Sequence, residues 1–289
     1  MIIIGCKRGN KMQIGIRAFE DSLNLQQKKQ PLIHCISNPV FSEILEESVV
    51  NYNGKTIISN FVEKYVEITS KANALIITFD ELNEDKVVAI EKSIRIARRS
   101  GIPVILDILG VDASFFSKEI ALRFINRYNI NMIIGKTQEF KSLALKKEKL
   151  EKDILPNYKI EEDAKFRYNL RKFSKIYRTK LLVKSNKYFL TDGFSEFYID
   201  RYIYELDRKD KCEVVLSGLI SVGIASASNT EESFRGILVA IIAMAVSEKI
   251  AKQKSMNCGK DIDLLKYLLN EIKYINLDEL PQINYLFIR

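Results

Sequence analysis

One histidine and its neighbours are the first residues in this chain that could do chemistry. His34 lies in the segment 31–38, Pro-Leu-Ile-His-Cys-Ile-Ser-Asn, and the 289 residues contain no other histidine. Imidazole titrates near neutral pH and serves as a general base or a metal ligand. Because a single histidine is more often structural than catalytic, its sequence neighbourhood has to decide between the two interpretations.

Four cysteines are the other potential nucleophiles or metal ligands. Cys35 is predicted to be a small buried apolar residue and not a nucleophile. The cysteines are far apart and form no Cys-x-x-Cys pair, which argues against a zinc site or a disulfide framework and suits a reducing cytoplasm. They are Cys6, Cys35, Cys212 and Cys258.

The net charge of +8 suggests at first a nucleic-acid-binding protein. Residues 141–180 hold 13 Lys and Arg against 6 Asp and Glu, so nearly all of the excess lies in one segment. No aromatic-basic recognition motif accompanies it, and the pattern is typical of solvated helix faces. We therefore expect no nucleic-acid partner. The longest apolar run, 236–246, is too short to span a membrane, and a soluble cytoplasmic protein is expected.

Short apolar runs alternate with longer amphipathic stretches along the chain. This alternation predicts βαβ units and a parallel sheet covered on both faces, in a single domain 1–289 whose residues 1–30 are an N-terminal extension and first helix. Ligands of such sheets bind at the carboxyl ends of the strands. The predicted elements are strands 74–78, 104–107, 131–135 and 180–183, helix 84–99, a helix ending at 123–128, a hairpin of 188–193 with 196–199, and a buried helix 232–252.

Several short motifs resemble one known family. They are Ile33–Asn38, Gly-Ile-Pro-Val-Ile-Leu-Asp at 101–107, Gly-x-x-x-Glu at 135–139 and Thr-Asp-Gly at 191–193. In order and spacing the chain is similar, over about residues 31–270, to the hydroxyethylthiazole kinases of the ribokinase superfamily. This resemblance implies a ribokinase-like three-layer α/β/α sandwich with a central, mostly parallel sheet. It also implies a homotrimer.

The resemblance implies an activity and a set of ligands. The activity is ATP-dependent phosphorylation of the hydroxyl of 4-methyl-5-(2-hydroxyethyl)thiazole in thiamine salvage, with Mg²⁺. By position, His34, Asn38 and Ile58 would bind the heteroaromatic alcohol, and Asp107 and Glu139 would lie at the metal. Asp107 could equally be a strand-end cap, and Glu139 could be an ordinary first-turn helix residue.

The nucleotide-contacting positions of the family carry other residues here. Ile134 replaces an arginine, Lys136 an asparagine, and Lys184 and Ser185 the threonine and glycine of a Val-Thr-Gly contact. Lys136 and Lys184 could together replace the missing arginine and bind phosphate. The alternative is that they are two surface lysines in a lysine-rich protein.

The phosphate-binding turn of the family, Gly-Thr-Gly-Cys, also differs. The most economical alignment puts Leu216 on its first glycine, Ser217 on the threonine, Gly218 on the second glycine and Leu219 on the cysteine that acts as base. Ser217 and Gly218 would then remain from an anion-binding turn, and Gly218 would contact nucleotide. A leucine accepts no proton, and loss of a general base typically costs about 10²–10⁴ in rate. The alignment therefore predicts impaired catalysis with no intact catalytic residue.

Two other functions stay open from the sequence. The chain could be a catalytically inactive homologue that acts as a small-molecule-binding or interaction protein. It could also be a kinase for a different alcohol, with Asp80, Glu81 or Asp112 as its base.

Overall fold

A computed structural model describes residues 16–79, 82–144, 158–203, 209–258, 264–275 and 285–288. Within these residues one sheet has the strand order β2-β1-β3-β4-β5-β6-β7-β8-β9. The first six strands in this order are parallel, and the last three pair antiparallel. The strands are β1 Leu32–Ile36, β2 Lys55–Ile58, β3 Ala74–Thr78, β4 Val104–Asp107, β5 Met132–Lys136, β6 Lys180–Lys184, β7 Lys187–Thr191, β8 Glu196–Asp200 and β9 Tyr285–Ile288.

Helices cover both faces of this sheet. One face packs against α1, α2, α8, α9 and α10, and the other against α3 to α7, which gives two separate apolar cores. The predicted three-layer α/β/α sandwich is thus confirmed. The helices are α1 Ile16–Lys29, α2 Pro39–Asn51, α3 Tyr65–Lys71, α4 Glu84–Arg99, α5 Phe115–Arg127, α6 Thr137–Ala144, α7 Ala164–Tyr177, α8 Lys209–Ser226, α9 Thr230–Cys258 and α10 Leu264–Lys273.

The central strands form because their residues are apolar on both faces. Strand β3 is buried at every position, as expected for a parallel strand between two helical layers. The predicted bounds of β3, β4 and α4 match the structure, and the buried helix 232–252 lies within α9. In the described residues no helix is long and apolar enough to cross a membrane.

Two hairpins make the antiparallel end of the sheet. The predicted hairpin of β7 and β8 is confirmed; its turn contains Gly193 at a φ of +89°, and the Asp192 side chain accepts hydrogen bonds from two turn N–H groups. The sequence did not predict the second hairpin, in which only Ser185 and Asn186 separate β6 from β7. That tight connection fixes Lys184 at the end of β6.

Gly218 lies where α8 packs closely against α2. A Cβ on Gly218 would lie 2.1 Å from Ser48 Oγ and 3.2 Å from Ser48 Cβ. Real Cβ atoms do not approach other atoms at 2.1 Å, so a larger residue here would force Ser48 or α2 to shift.

We expect Gly218→Ala to destabilise the protein by about 1–3 kcal/mol, the usual cost of overpacking. Helix propensity alone would favour alanine by about 1 kcal/mol, so a net loss of stability can be assigned to the contact between residue 218 and Ser48. Urea unfolding measures the change, and the Ser48→Ala background should reduce the loss because Oγ is gone. A Gly218→Ala protein as stable as the wild type would contradict the close packing.

Candidate functional site

The carboxyl ends of the parallel strands bring several polar side chains to one edge of the sheet. Asp107 ends β4, Lys136 ends β5 and Lys184 ends β6, and Lys136 and Lys184 are register neighbours. The sequence placed the ligand crevice at this edge.

Asp107 is completely buried, and both of its carboxylate oxygens accept hydrogen bonds. Oδ1 accepts from the backbone N–H of Leu109 at 3.2 Å, and Oδ2 accepts from Ser217 Oγ at 2.5 Å and from Lys184 Nζ at 3.3 Å. Asp107 thus caps the end of its strand and is also half of an ion pair.

Glu139 lies in the first turn of α6, beside the end of β5. Its oxygens accept from the N–H groups of Gly110 at 2.8 Å and Lys136 at 2.6 Å. A Cβ on Gly135 would lie 2.5 Å from Ile108 Cγ1, so the glycine lets the end of β5 lie close to Ile108. Burial raises the pKa of Glu139 to about 7, although the Lys184 charge opposes the shift.

Lys184 is not a surface lysine. Its side chain is 1% exposed, and its Nζ donates to Asp107 and to the Glu213 carbonyl oxygen at 3.1 Å. The Glu213 carboxylate oxygen Oε2 lies 3.8 Å from the same nitrogen. The alternative interpretation as a solvated lysine is therefore wrong for this residue. Lys136, in contrast, is partly exposed.

A second buried cation extends this cluster. Arg201 follows β8, and one of its guanidinium nitrogens lies 2.5 Å from Glu213 Oε1. Burial works against ionisation of Glu213, but the charges of Arg201, Lys184 and Lys136 outweigh it and hold its pKa below the usual value.

Glu248 on α9 closes the cluster on its far side. It accepts hydrogen bonds from Tyr188 Oη at 2.6 Å and from the Tyr202 N–H at 2.9 Å. Arg201 Nε lies 3.9 Å from its carboxylate. Burial raises the pKa of Glu248 despite that charge.

Sequence reasoning missed Glu213, Arg201 and Glu248. For α8 a signal was present, since Glu213 and Ser217 are polar residues four positions apart in a mostly apolar stretch of the chain. That spacing puts both side chains on one helix face.

The structure corrects the predicted position of the phosphate-binding turn. Leu216, Ser217, Gly218 and Leu219 lie inside α8 and not at its N-terminus. Backbone N–H groups inside a helix are already bonded to carbonyl groups one turn earlier, so they cannot form an anion-binding turn. Leu216 and Leu219 are fully buried in the apolar core, and Gly218 packs against α2. The assignment of Ser217 and Gly218 to a remnant anion hole, of Gly218 to nucleotide, and of Leu219 to the base position is therefore wrong.

A turn of this kind at the start of α8 would lie near Lys209, and the preceding residues 204–208 are outside the described part of the chain. In the first turns that are described, Cys212 and Glu213 are buried and Lys211 is exposed. The polar chemistry of α8 that faces the strand ends is thus carried by Glu213 and Ser217.

The three residues predicted to bind the alcohol lie in different surroundings. His34 is completely buried; its Nδ1 lies 2.8 Å from Thr69 Oγ1, and burial lowers its pKa to about 4, so the ring is neutral at pH 7. It packs between β1 and α3 and is not open to the crevice. Asn38 caps α2 by accepting from the Phe41 N–H, and Ile58 ends β2 half-buried. Only Asn38 and Ile58 are therefore near the carboxyl edge.

The remaining predicted residues are placed as follows. Ser185 is half-buried in the β6–β7 turn, and its carbonyl oxygen accepts from Arg201. Asp112 is exposed in the turn after β4, whereas Asp80 and Glu81 lie outside the described residues. Cys35 is buried as a small core residue, as predicted.

The hydrogen bonds of Asp107 and Glu139 work against a Mg²⁺ ion bound directly to these two carboxylates. Magnesium takes oxygen ligands with near-octahedral geometry, usually one or two carboxylates with water and phosphate. All four oxygens of Asp107 and Glu139 already accept hydrogen bonds from backbone N–H groups, Ser217 or Lys184. Among the described residues no group of three or more His, Cys, Asp or Glu side chains could hold a metal.

The raised pKa of Glu139 predicts a pH effect on stability. A folded pKa of about 7 against 4.5 means that the folded state holds this proton more tightly than the unfolded state. Its stability contribution is therefore present below about pH 4.5 and is lost as the pH rises through about 7, by at most about 1.4 kcal/mol per pH unit. Glu139→Gln should lack this slope.

Urea unfolding of both proteins at about pH 5 and about pH 7.5 measures it: the stability deficit of the variant should shrink at the higher pH. Replacement of the exposed Glu162 by Gln is the matched control and should leave the slope unchanged. A constant Glu139→Gln deficit across this range would contradict the raised pKa.

Comparisons with known proteins identify related sequences and structures. Residues 23–276 match the hydroxyethylthiazole kinase family. Hydroxyethylthiazole kinase from Clostridium perfringens is 21% identical over 254 residues, 88% of this chain and 95% of that protein. The enzyme from Methanobrevibacter smithii is 27% identical over 84% of this chain and 88% of its own length.

A solved structure of the hydroxyethylthiazole kinase protein from Pyrococcus horikoshii superimposes with a TM-score of 0.79 at 18% identity, covering 94% of this chain and 100% of that one. A ribokinase-like superfamily protein from Enterococcus faecalis superimposes with a TM-score of 0.62 at 9% identity, covering 95% and 99% of the two chains. These likenesses confirm the ribokinase-like fold. Since the family match covers most of its length, the chain belongs to the hydroxyethylthiazole kinase family.

Proposed function

We propose that this protein is a hydroxyethylthiazole-kinase-like protein that binds a small heteroaromatic alcohol and nucleotide at the carboxyl edge of its sheet but transfers phosphate slowly. The observation that carries the proposal is the buried Asp107–Lys184 ion pair, because it uses a carboxylate that the family's chemistry would direct toward the metal. Family membership supports a small heteroaromatic alcohol as the substrate. It also supports ATP and Mg²⁺ as requirements of the reaction.

Phosphoryl transfer requires an oriented acceptor, positive charge near the transferred group and a group that accepts the alcohol proton. Asn38 and Ile58 are the described residues best placed to orient the acceptor. Lys136, half-buried at the end of β5, is the proposed phosphate contact, with Ser185 in the next turn.

The proton acceptor is the weak part of the site. Both oxygens of Glu139 are occupied by N–H donors, and Asp107 is held by Lys184 and Ser217. Exposed Asp112 follows β4 and has no such restriction on its position, so it is the described carboxylate that a different alcohol could use. With no carboxylate among the described residues positioned as a base, a rate about 10²–10⁴ below that of an intact kinase is expected.

An interaction protein is the second candidate. Exposed apolar side chains follow the carboxyl ends of β1, β2, β3 and β4, and such side chains at one edge are typical of contact surfaces. They also support the proposed homotrimer, which light scattering would test. The side chains are Val40, Phe61, Val88 and Phe115, with exposures of 50%, 57%, 50% and 76%.

Two measurements on the same preparation test the proposal. Thermal-shift titration with the thiazole alcohol and with MgATP should raise the melting temperature, because a ligand selective for the folded state stabilises it. A coupled ADP-release assay should then give a rate at least about 10²-fold below that of the Clostridium perfringens enzyme assayed in parallel.

The outcomes separate the candidates. Ligand shifts with slow ADP release support the impaired kinase, and a rate equal to that of the relative would contradict the impairment. No shift with either ligand would leave the interaction protein as the function.

A further inference from the structure

We infer that the ammonium group of Lys184 is a tethered cation that replaces the divalent cation beside Asp107, so that this crevice binds no divalent metal ion at its carboxylates. The inference extends the proposed function. It rests on that function only in taking this crevice as the ligand-binding site. It concerns cation binding, which can be measured without nucleotide, alcohol or turnover.

The contacts of Lys184 resemble those of a bound cation. Three oxygens surround its Nζ: Asp107 Oδ2 at 3.3 Å, the Glu213 carbonyl oxygen at 3.1 Å and Glu213 Oε2 at 3.8 Å. They come from β4 and from α8, two elements far apart in the sequence. An ammonium group offers three donors, and oxygen atoms are its natural partners.

The lysine is fixed in this position by the sheet. Lys184 pairs with Lys136 of β5 on one side and with Tyr188 of β7 on the other. The two-residue turn that follows leaves no slack in the chain. The backbone from which the ammonium extends is therefore bonded on both sides.

Burial prevents water from screening these charges. The Lys184, Asp107 and Glu213 side chains are 1%, 0% and 3% exposed. A divalent ion on Asp107 would lie close to the ammonium in a region of low dielectric, where repulsion between like charges is strong. An ion on Oδ2 would also compete with Ser217, which donates to that oxygen.

A neighbouring lysine shows how an ordinary ion pair differs. Lys187 starts β7 with its side chain 37% exposed, and its Nζ lies 3.7 Å from Glu161 and 3.6 Å from Asp200. Its charge is open to solvent, and surface pairs of this kind contribute little to stability. Lys187 is therefore the matched control for Lys184.

The test is direct binding of Mn²⁺, used alone, to the full chain by electron paramagnetic resonance. Wild type and Lys187→Ala should bind no Mn²⁺ at the crevice. Lys184→Ala removes the tethered cation and leaves room among the carboxylates, so it should bind Mn²⁺ at least about tenfold more tightly than wild type. Addition of Asp107→Asn to Lys184→Ala should abolish the gained site.

Lys184→Gln, which keeps most of the side-chain volume, serves if Lys184→Ala does not fold. Two results would overturn the inference: Mn²⁺ binding to the wild type that Asp107→Asn removes, or no gain in a folded Lys184 variant. The Mn²⁺ measurement contains no nucleotide or alcohol, so its result does not depend on the outcome of the kinase assay. Conversely, wild-type Mn²⁺ binding at Asp107 would overturn this inference while the proposed ligand binding stood.

Discussion

A buried ammonium group between two carboxylates is the interaction on which this crevice depends. Lys184 Nζ lies 3.3 Å from Asp107 and 3.8 Å from the Glu213 carboxylate, and all three side chains are almost completely buried. Each charge alone would be costly in such a place, because burial removes its hydration. Pairing of the opposite charges offsets this loss of hydration. It also connects the ends of β4 and β6 to α8.

The same helix links the two halves of the sheet. Glu213 is shared between Lys184 in the parallel half and Arg201 beyond the antiparallel strands, and Ser217, one turn later, donates to Asp107. Glu213 and Ser217 thus form the polar face of α8 that contacts the strand ends. The same contacts occupy Asp107 and Lys184 with partners from within the chain.

The layers of this fold were predictable, whereas the contents of the crevice were not. Uniform apolar runs gave the bounds of β3 and β4, because burial on both faces requires them. Lysine is normally exposed, so nothing local distinguished Lys184 from its surface neighbours; only its partners from distant parts of the chain bury it. The phosphate-binding turn was predicted at the wrong place in α8, because the alignment compared residue types and could not show where the helix begins. Inside the helix, Gly218 serves helix packing and not phosphate binding.

The most direct test of the central claim is a double-mutant cycle on the Asp107–Lys184 pair, measured by urea unfolding of wild type, Asp107→Asn, Lys184→Met and the double variant. Each single change removes one partner of a buried ion pair and should cost about 3–5 kcal/mol. The double variant should be more stable than the sum of the two losses predicts by at least about 2 kcal/mol, as expected for residues in contact. Additive losses, within about 0.5 kcal/mol, would show that the two groups do not interact and would contradict the account.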